Sequence, residues 1–223
     1  MMQIKVIKNI LSLNDAVATR IRQNMDGRSL TLLNLLASPG GGKTTFILAL
    51  ARRLAGQLRI GVIEGDLASS VDADKVAAAG LPVVQINTEG GCHLEARQVE
   101  KALPQLPLDD IDLLIVENVG NLVCTASYDL GEDLRVVLSS VPEGHDKPYK
   151  YPKIFHNLDA VIVTKTDLTP YIDYDLDEFK TAIRSINQDV PILPISATKG
   201  DGMDAVCDWL LGKLRSRPPS KGL

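Results

Sequence analysis

The chain has 223 residues, enough for one α/β domain with a large core and too few to demand two. With 45% hydrophobic and 23% charged residues it reads as globular, and a net charge of -4 excludes a general affinity for nucleic-acid phosphates, which needs a basic face. No apolar run approaches the roughly 18 residues of a membrane span, and three cysteines without an export signal point to thiols or metal ligands in the cytoplasm, not to a disulfide framework.

Residues 4–7 alternate and are read as a short strand. Ser12-Leu13-Asn14-Asp15 has the Ser-x-x-acid form of a helix start, and a helix to about Met25 would present Val17, Ile21 and Met25 on one stripe before Asp26-Gly27 ends it. Residues 1–28 are therefore expected to be an N-terminal appendage on a nucleotide domain spanning 29–216, with 217–223 a loose tail.

Leu30-Thr31-Leu32-Leu33-Asn34-Leu35-Leu36 is a nearly continuous apolar run, suited to a central strand buried on both faces. Ala37-Ser38-Pro39-Gly40-Gly41-Gly42-Lys43-Thr44-Thr45 follows, and then a helix with Phe46, Leu50 and Leu54, and Ile47 with Ala51, at helical spacing. A strand, a glycine run and a helix in that order let backbone N–H groups close around phosphate oxygens at a helix N-terminus. Pro39, Gly40, Gly41, Gly42, Lys43, Thr44 and Thr45 are thus expected to bind a nucleotide. Lys43 would reach the β- and γ-phosphates and the Thr44 hydroxyl a Mg²⁺ ion. Ala37 stands where the usual pattern has its first glycine.

Beyond this loop, strands are expected at 58–63, 83–86, 111–116, 136–141, 160–163 and 192–195. Helices are expected at 71–79, 93–103, 175–187 and 203–214. The alternation predicts an α/β fold of the P-loop NTPase kind, a mostly parallel sheet with helices on both faces. Ligands of such sheets sit at the carboxyl ends of strands. There Glu64-Gly65-Asp66 and Glu117-Asn118-Val119-Gly120 supply carboxylates, so Asp66 and Glu117, with Thr44, are the expected magnesium ligands and, with Lys43, the residues expected to carry hydrolysis. Asp72 is a weaker candidate.

Thr164-Lys165-Thr166-Asp167 resembles the Asn-Lys-x-Asp element by which GTPases read guanine, the Asp167 carboxylate accepting from the ring N–H and amino group while Lys165 covers the base. Ser196-Ala197-Thr198 matches its companion turn, so Ser196 and Ala197 join the set. Thr164 stands where asparagine usually ties this element to the phosphate loop. Cys92-His93 and Cys124 offer the thiolates and imidazole that Zn²⁺ and Ni²⁺ select. Three ligands leave such a site open, or shared with a second copy across a two-fold axis. Cys207, on an apolar stripe with Val206 and Leu210, is expected to be a buried small hydrophobe, and His145 and His156 are not assigned to the metal. Cys124 lies seven residues beyond Glu117, so a change at the γ-phosphate can reach a metal ligand through a few residues of backbone.

With these pieces placed, residues 30–211 resemble the HypB family of GTPases, SIMIBI-class proteins that assist nickel insertion into nickel-iron hydrogenase. The resemblance rests on the phosphate loop, Glu64-Gly65-Asp66, Gln85-Ile86-Asn87-Thr88, Cys92-His93-Leu94, Asp129-Leu130-Gly131-Glu132, Glu143-Gly144 and, above all, Glu117-Asn118-Val119-Gly120-Asn121-Leu122-Val123-Cys124. It implies slow, Mg²⁺-dependent GTP hydrolysis by a homodimer formed around its nucleotides, with Ni²⁺ or Zn²⁺ held at the interface by Cys92, His93 and Cys124. It also implies two partners, a small zinc-containing chaperone of the HypA type and the hydrogenase large subunit, and neither nucleic acid nor membrane. Residues 147–150 resemble the segment in which a lysine approaches the partner subunit's nucleotide. The rival families differ in the residues they need. A UreG-type urease accessory GTPase would carry a Cys-Pro-His triplet, and a small-molecule kinase an arginine-rich lid. In a nucleotide-binding scaffold, turnover would be indifferent to Glu117 or Asp66.

Overall fold

The computed structural model describes residues 10–67 and 69–216, so the strand expected at 4–7 and the tail at 217–223 lie outside the described residues. Seven strands form one sheet: β1 (Thr31–Ala37), β2 (Ile60–Asp66), β3 (Val83–Asn87), β4 (Leu113–Glu117), β5 (Leu134–Ser140), β6 (Ala160–Thr164) and β7 (Ile192–Pro194). Their order is β3-β2-β4-β1-β5-β6-β7 and every pairing is parallel. The expected α/β fold is the observed one, a P-loop NTPase-like sheet with helices on both faces. β1 lies at the centre because it can: all seven of its residues are buried. Leu33, Leu35 and Ala37 face a cluster formed with α2 (Lys43–Arg53) and α7 (Met203–Arg215), while Leu32 and Leu36 face the opposite side. Such a strand has no solvated face, which is why its sequence reads as a continuous apolar run.

Helix α1 (Ile10–Arg28) is already running at Ile10, ahead of the Ser12 expected to start it. Ile21 and Met25 are buried as expected and pack, with Ala18, in a cluster that includes Val99, Ala102 and Leu114, and Val17 packs partly buried against the same cluster. Asn14, buried on α1, accepts the Ala96 N–H at 2.8 Å and donates to the Asp129 carbonyl at 2.7 Å. The expected helix over 93–103 begins later, as α4 (Ala96–Ala102). Glu95 and Gln98 form a reciprocal capping box there, which ends the preceding loop and frees Cys92 and His93 from helical geometry. Helix α3 spans Val71–Ala78 and α6 Leu176–Ile186, the latter capped by Asp175, which accepts the Asp177 and Glu178 N–H groups at 2.9 Å. The short helix α5 (Lys147–Lys150) and the single-turn helices around it have no clear periodicity in sequence.

Cys207 is 7% exposed within the α2/α7 cluster, as expected of a small hydrophobe. Among the described residues no helix is long and apolar enough to cross a membrane.

Candidate functional site

The turn after β1 carries Pro39 and Gly40 exposed at its crest and Gly41 buried beneath. Gly40 and Gly42 take φ of 71° and 93°, a region that side chains avoid. Helix α2 starts at Lys43 with no side chain capping it, so its first turn is open to an anion. Gly41 is needed for closeness: a Cβ there would lie 2.8 Å from that of Ala37. Ala37 itself sits in β1 without strain, which explains why the first glycine of the usual pattern is dispensable here. Thr45 is exposed on the first turn beside Thr44, which is buried.

The Thr44 hydroxyl donates to Glu117 Oε1 at 2.9 Å, and Lys43 Nζ lies 3.9 Å from the same oxygen. A cavity of about 220 Å³ opens in front of these groups, lined also by Pro39, Gly40, Asp66 and Asp72. Glu64, which sequence reasoning passed over in favour of Asp66, lines it too. Period-2 alternation along β2 could have found it, since Glu64 and Asp66 share a face. Burial, reinforced by Glu117, Asp66 and Asp72, pushes Glu64 up to about 8, and burial pushes Glu117 up to about 7 against the opposing charge of Lys43. Two buried carboxylates held this far above the ordinary carboxylate range are a site short of positive charge, and hard oxygen donors next to a hydroxyl suit Mg²⁺.

On the other side of the phosphate loop, the Thr164 hydroxyl donates to the Gly41 carbonyl at 2.8 Å, and Lys165 Nζ to the Gly40 carbonyl at 2.7 Å. Thr164 thus makes the tie for which asparagine is usual. Lys165 has φ of 61°, a left-handed turn that sends its side chain back over the loop. Ser196 Oγ donates to Asp167 Oδ1 at 2.6 Å, and the Thr166 N–H to the Ile195 carbonyl at 3.1 Å, so the Asp167 and Ser196-Ala197 turns are joined.

Cys92, His93 and Cys124, from two loops far apart in the chain, each place a donor atom within 4.8 Å of the others. Cys92 Sγ and His93 Nδ1 are 3.6 Å apart, and the His93 ring stacks on Tyr128 with centroids separated by 3.8 Å. Two loops are pinned to create this. Asn118 Oδ1 accepts the N–H of Val119 at 2.9 Å and of Leu94 at 3.2 Å, and Asn121 Oδ1 accepts the N–H of Val123 at 2.7 Å and of Cys124 at 2.9 Å. Burial lowers the His93 pKa, leaving the imidazole neutral as a ligand must be. Hydrogen bonding to Cys92, then burial, raises the Cys124 thiol, so a metal must displace its proton. The loop also touches the phosphate site: a Cβ on Gly120 would lie 2.9 Å from Pro39 Cα, and one on Gly65 would lie 2.7 Å from Leu94 Cδ1. His145 instead accepts the Asp175 N–H, away from the cluster. Of the two lysines at 147–150, Lys150 pairs with Asp146 and Lys147 lies 5.4 Å over the Tyr151 ring.

Residues 32–194 match the family model for the CobW/HypB/UreG nucleotide-binding domain. A curated protein of Escherichia coli (strain K12), hydrogenase maturation factor HypB, is 44% identical over 202 residues, covering 91% of this chain and 70% of that one. The chain belongs to the HypB family. Among solved structures it is similar to HypB from Helicobacter pylori in complex with nickel, with a TM-score of 0.89 and 37% identity, covering 95% of this chain and 99% of that one. HypB from Archaeoglobus fulgidus follows at a TM-score of 0.85 and 33% identity, covering 92% of this chain and all of that one, 100%. The HypB fold thus covers 95% of the chain.

Proposed function

We propose that this chain is a Mg²⁺-dependent GTPase of the cytoplasm that holds nickel for delivery to hydrogenase. In this reading residues 29–216 form the GTPase unit and 1–28 its appendage. The carrying observation is that Cys92 and His93 meet Cys124, which sits on the loop following Glu117, a residue that lines the cavity read as the nucleotide pocket. The similarity to nickel-bound HypB of Helicobacter pylori supports nickel as cargo, with Zn²⁺ a competitor for the same donors.

The geometry supports the following division of roles. Pro39, Gly40, Gly41 and Gly42 wrap the triphosphate with the N–H groups of Lys43, Thr44 and Thr45, and Lys43 places its charge on the phosphates. Lys165, Asp167, Ser196 and Ala197 read guanine. Thr44, Asp66 and Glu117 would hold Mg²⁺, which supplies charge neutralisation for the phosphoryl group when bound. Two copies joined around GTP share the cysteine-histidine cluster, completing a coordination sphere that one copy leaves open. Loss of the γ-phosphate relaxes the segment at Glu117 and with it Cys124, lowering metal affinity and permitting transfer. A HypA-type chaperone would supply the metal and the hydrogenase large subunit receive it.

Incubation of the pure protein with GTP and with ATP, in Mg²⁺, tests the reading through turnover and metal bound per chain. It requires GTP turnover well above that of ATP, with nickel retained by the wild type and lost from Cys92→Ala. Equal turnover of both nucleotides, or nickel binding indifferent to Cys92, contradicts it.

A further inference from the structure

Glu64 and Glu117 are register partners on the adjacent parallel strands β2 and β4 and are 2% and 3% exposed. Register partners project from the same face, so two carboxylates stand side by side in a region with little water. In each, Oε2 is buried and accepts no hydrogen bond among the described residues, and both side chains line the cavity of about 220 Å³. Glu64, Asp66 and Asp72 also offer one oxygen each, all within 4.8 Å of one another. Against these four carboxylates stand Lys43, 3.9 Å from Glu117, and Lys75, paired with Asp72 at 2.7 Å at the rim. The geometric imbalance lies at the two glutamates, whose buried Oε2 atoms accept no hydrogen bond among the described residues, and a buried carboxylate oxygen left unpaired is costly.

A cation in a phosphate-loop pocket usually depends on the nucleotide, because the protein supplies one or two carboxylates and the phosphates the rest. Here the protein supplies more. We propose that Glu64, with Asp66 and Asp72, binds a divalent cation in this pocket before nucleotide arrives, so that the cation site is loaded first. The oxygen-only donor set selects a hard ion such as Mg²⁺ or Mn²⁺ over the thiophilic metals that suit Cys92 and Cys124. This deepens the proposed function and rests on it for the use to which the cation is put. Its binding rests on the carboxylates alone.

Mn²⁺ added to the full chain, stripped of metal and nucleotide, is followed by electron paramagnetic resonance. Capture of one Mn²⁺ per chain is expected, with affinity at least tenfold weaker in Glu64→Gln and severalfold weaker in Asp72→Asn. Thermal unfolding reports whether each variant folds. Should Glu64→Gln fail to fold, Asp72→Asn at the rim decides. A free-ion spectrum with the nucleotide-free wild type, or undiminished affinity in a folded variant, overturns the proposal. Binding of a fluorescent GTP analogue is measured in parallel. Mn²⁺ capture without GTP binding leaves this inference standing while the GTPase reading falls, and GTP binding without prior Mn²⁺ capture does the reverse.

Discussion

Asn118 accepts the Leu94 N–H at 3.2 Å, joining the loop that carries Cys92 and His93 to the strand end that carries Glu117. Both partners are buried, so the bond cannot be exchanged for water. Asn118→Ala strands the buried Leu94 and Val119 N–H groups, at a cost of about 1–3 kcal/mol each in stability. Metal affinity is expected to fall about tenfold, a loss of about 1.4 kcal/mol. Guanine-nucleotide affinity should change far less, because Asn118 does not line the cavity. Calorimetric titrations of Ni²⁺ and GDP separate the two.

Thr164 substitutes for an asparagine by reaching the Gly41 carbonyl at 2.8 Å. Thr164→Ala removes that donor and loosens the phosphate loop, and GTP affinity should drop about tenfold, the range of one lost buried hydrogen bond. Thr164→Ser, which keeps the hydroxyl, should retain most of it. Equal affinities of the alanine and serine variants would show that the bond is idle.

Asp167 is oriented by the Ser196 hydroxyl at 2.6 Å. If its carboxylate accepts from guanine, Asp167→Asn trades an acceptor for a donor and should favour xanthine over guanine by two orders of magnitude or more, since an unpaired polar group in a recognition site is heavily penalised, by factors of about 10⁴–10⁵ in strong cases. Competition between GTP and XTP for a fluorescent analogue measures the ratio, and an unchanged preference for GTP removes Asp167 from base recognition.

The raised carboxyls predict a pH dependence in chelator-treated, nucleotide-free protein. Glu64 holds its proton up to about 8 and Glu117 up to about 7, whereas both release it near 4.5 once unfolded. Between those limits the folded state binds more protons than the unfolded one, so this contribution to stability is complete below 4.5 and is lost as pH rises through 7 and 8. The melting temperature of the wild type should therefore fall from pH 5.5 to pH 8.5 relative to that of Glu64→Gln, by several degrees at about 1 kcal/mol per 2–4 °C. Parallel curves for the two proteins would contradict it.

Much of this was legible in the chain. The continuous apolar run of β1, whose Leu32 and Leu33 face opposite clusters, announces a doubly covered sheet, and Gly42-Lys43-Thr44 marks the turn where α2 begins. The alternation of strands and helices sufficed for the sheet's class, though not for the order that places β4 between β2 and β1. Glu64 was passed over in favour of Asp66 because the strand was expected to end at residue 63, which leaves both acids in a loop, whereas β2 runs on to Asp66 and buries Glu64 beside Glu117 across the ladder. The start of α4 was misplaced because Leu94 continues the apolar periodicity, while the capping box at Glu95 and Gln98 and the side chain of Asn14, 82 residues distant, decide the boundary. The turns at 141–156 resisted reading because tertiary contacts, such as Phe155 against Phe179, fix them in place of local periodicity.

Coupling between the nucleotide pocket and the cysteine-histidine cluster is tested most directly by Ni²⁺ affinity measured with a non-hydrolysable GTP analogue and with GDP. Tighter binding in the GTP-analogue state by tenfold or more, abolished in Cys124→Ser, is the predicted result. The same affinity in both nucleotide states would contradict it.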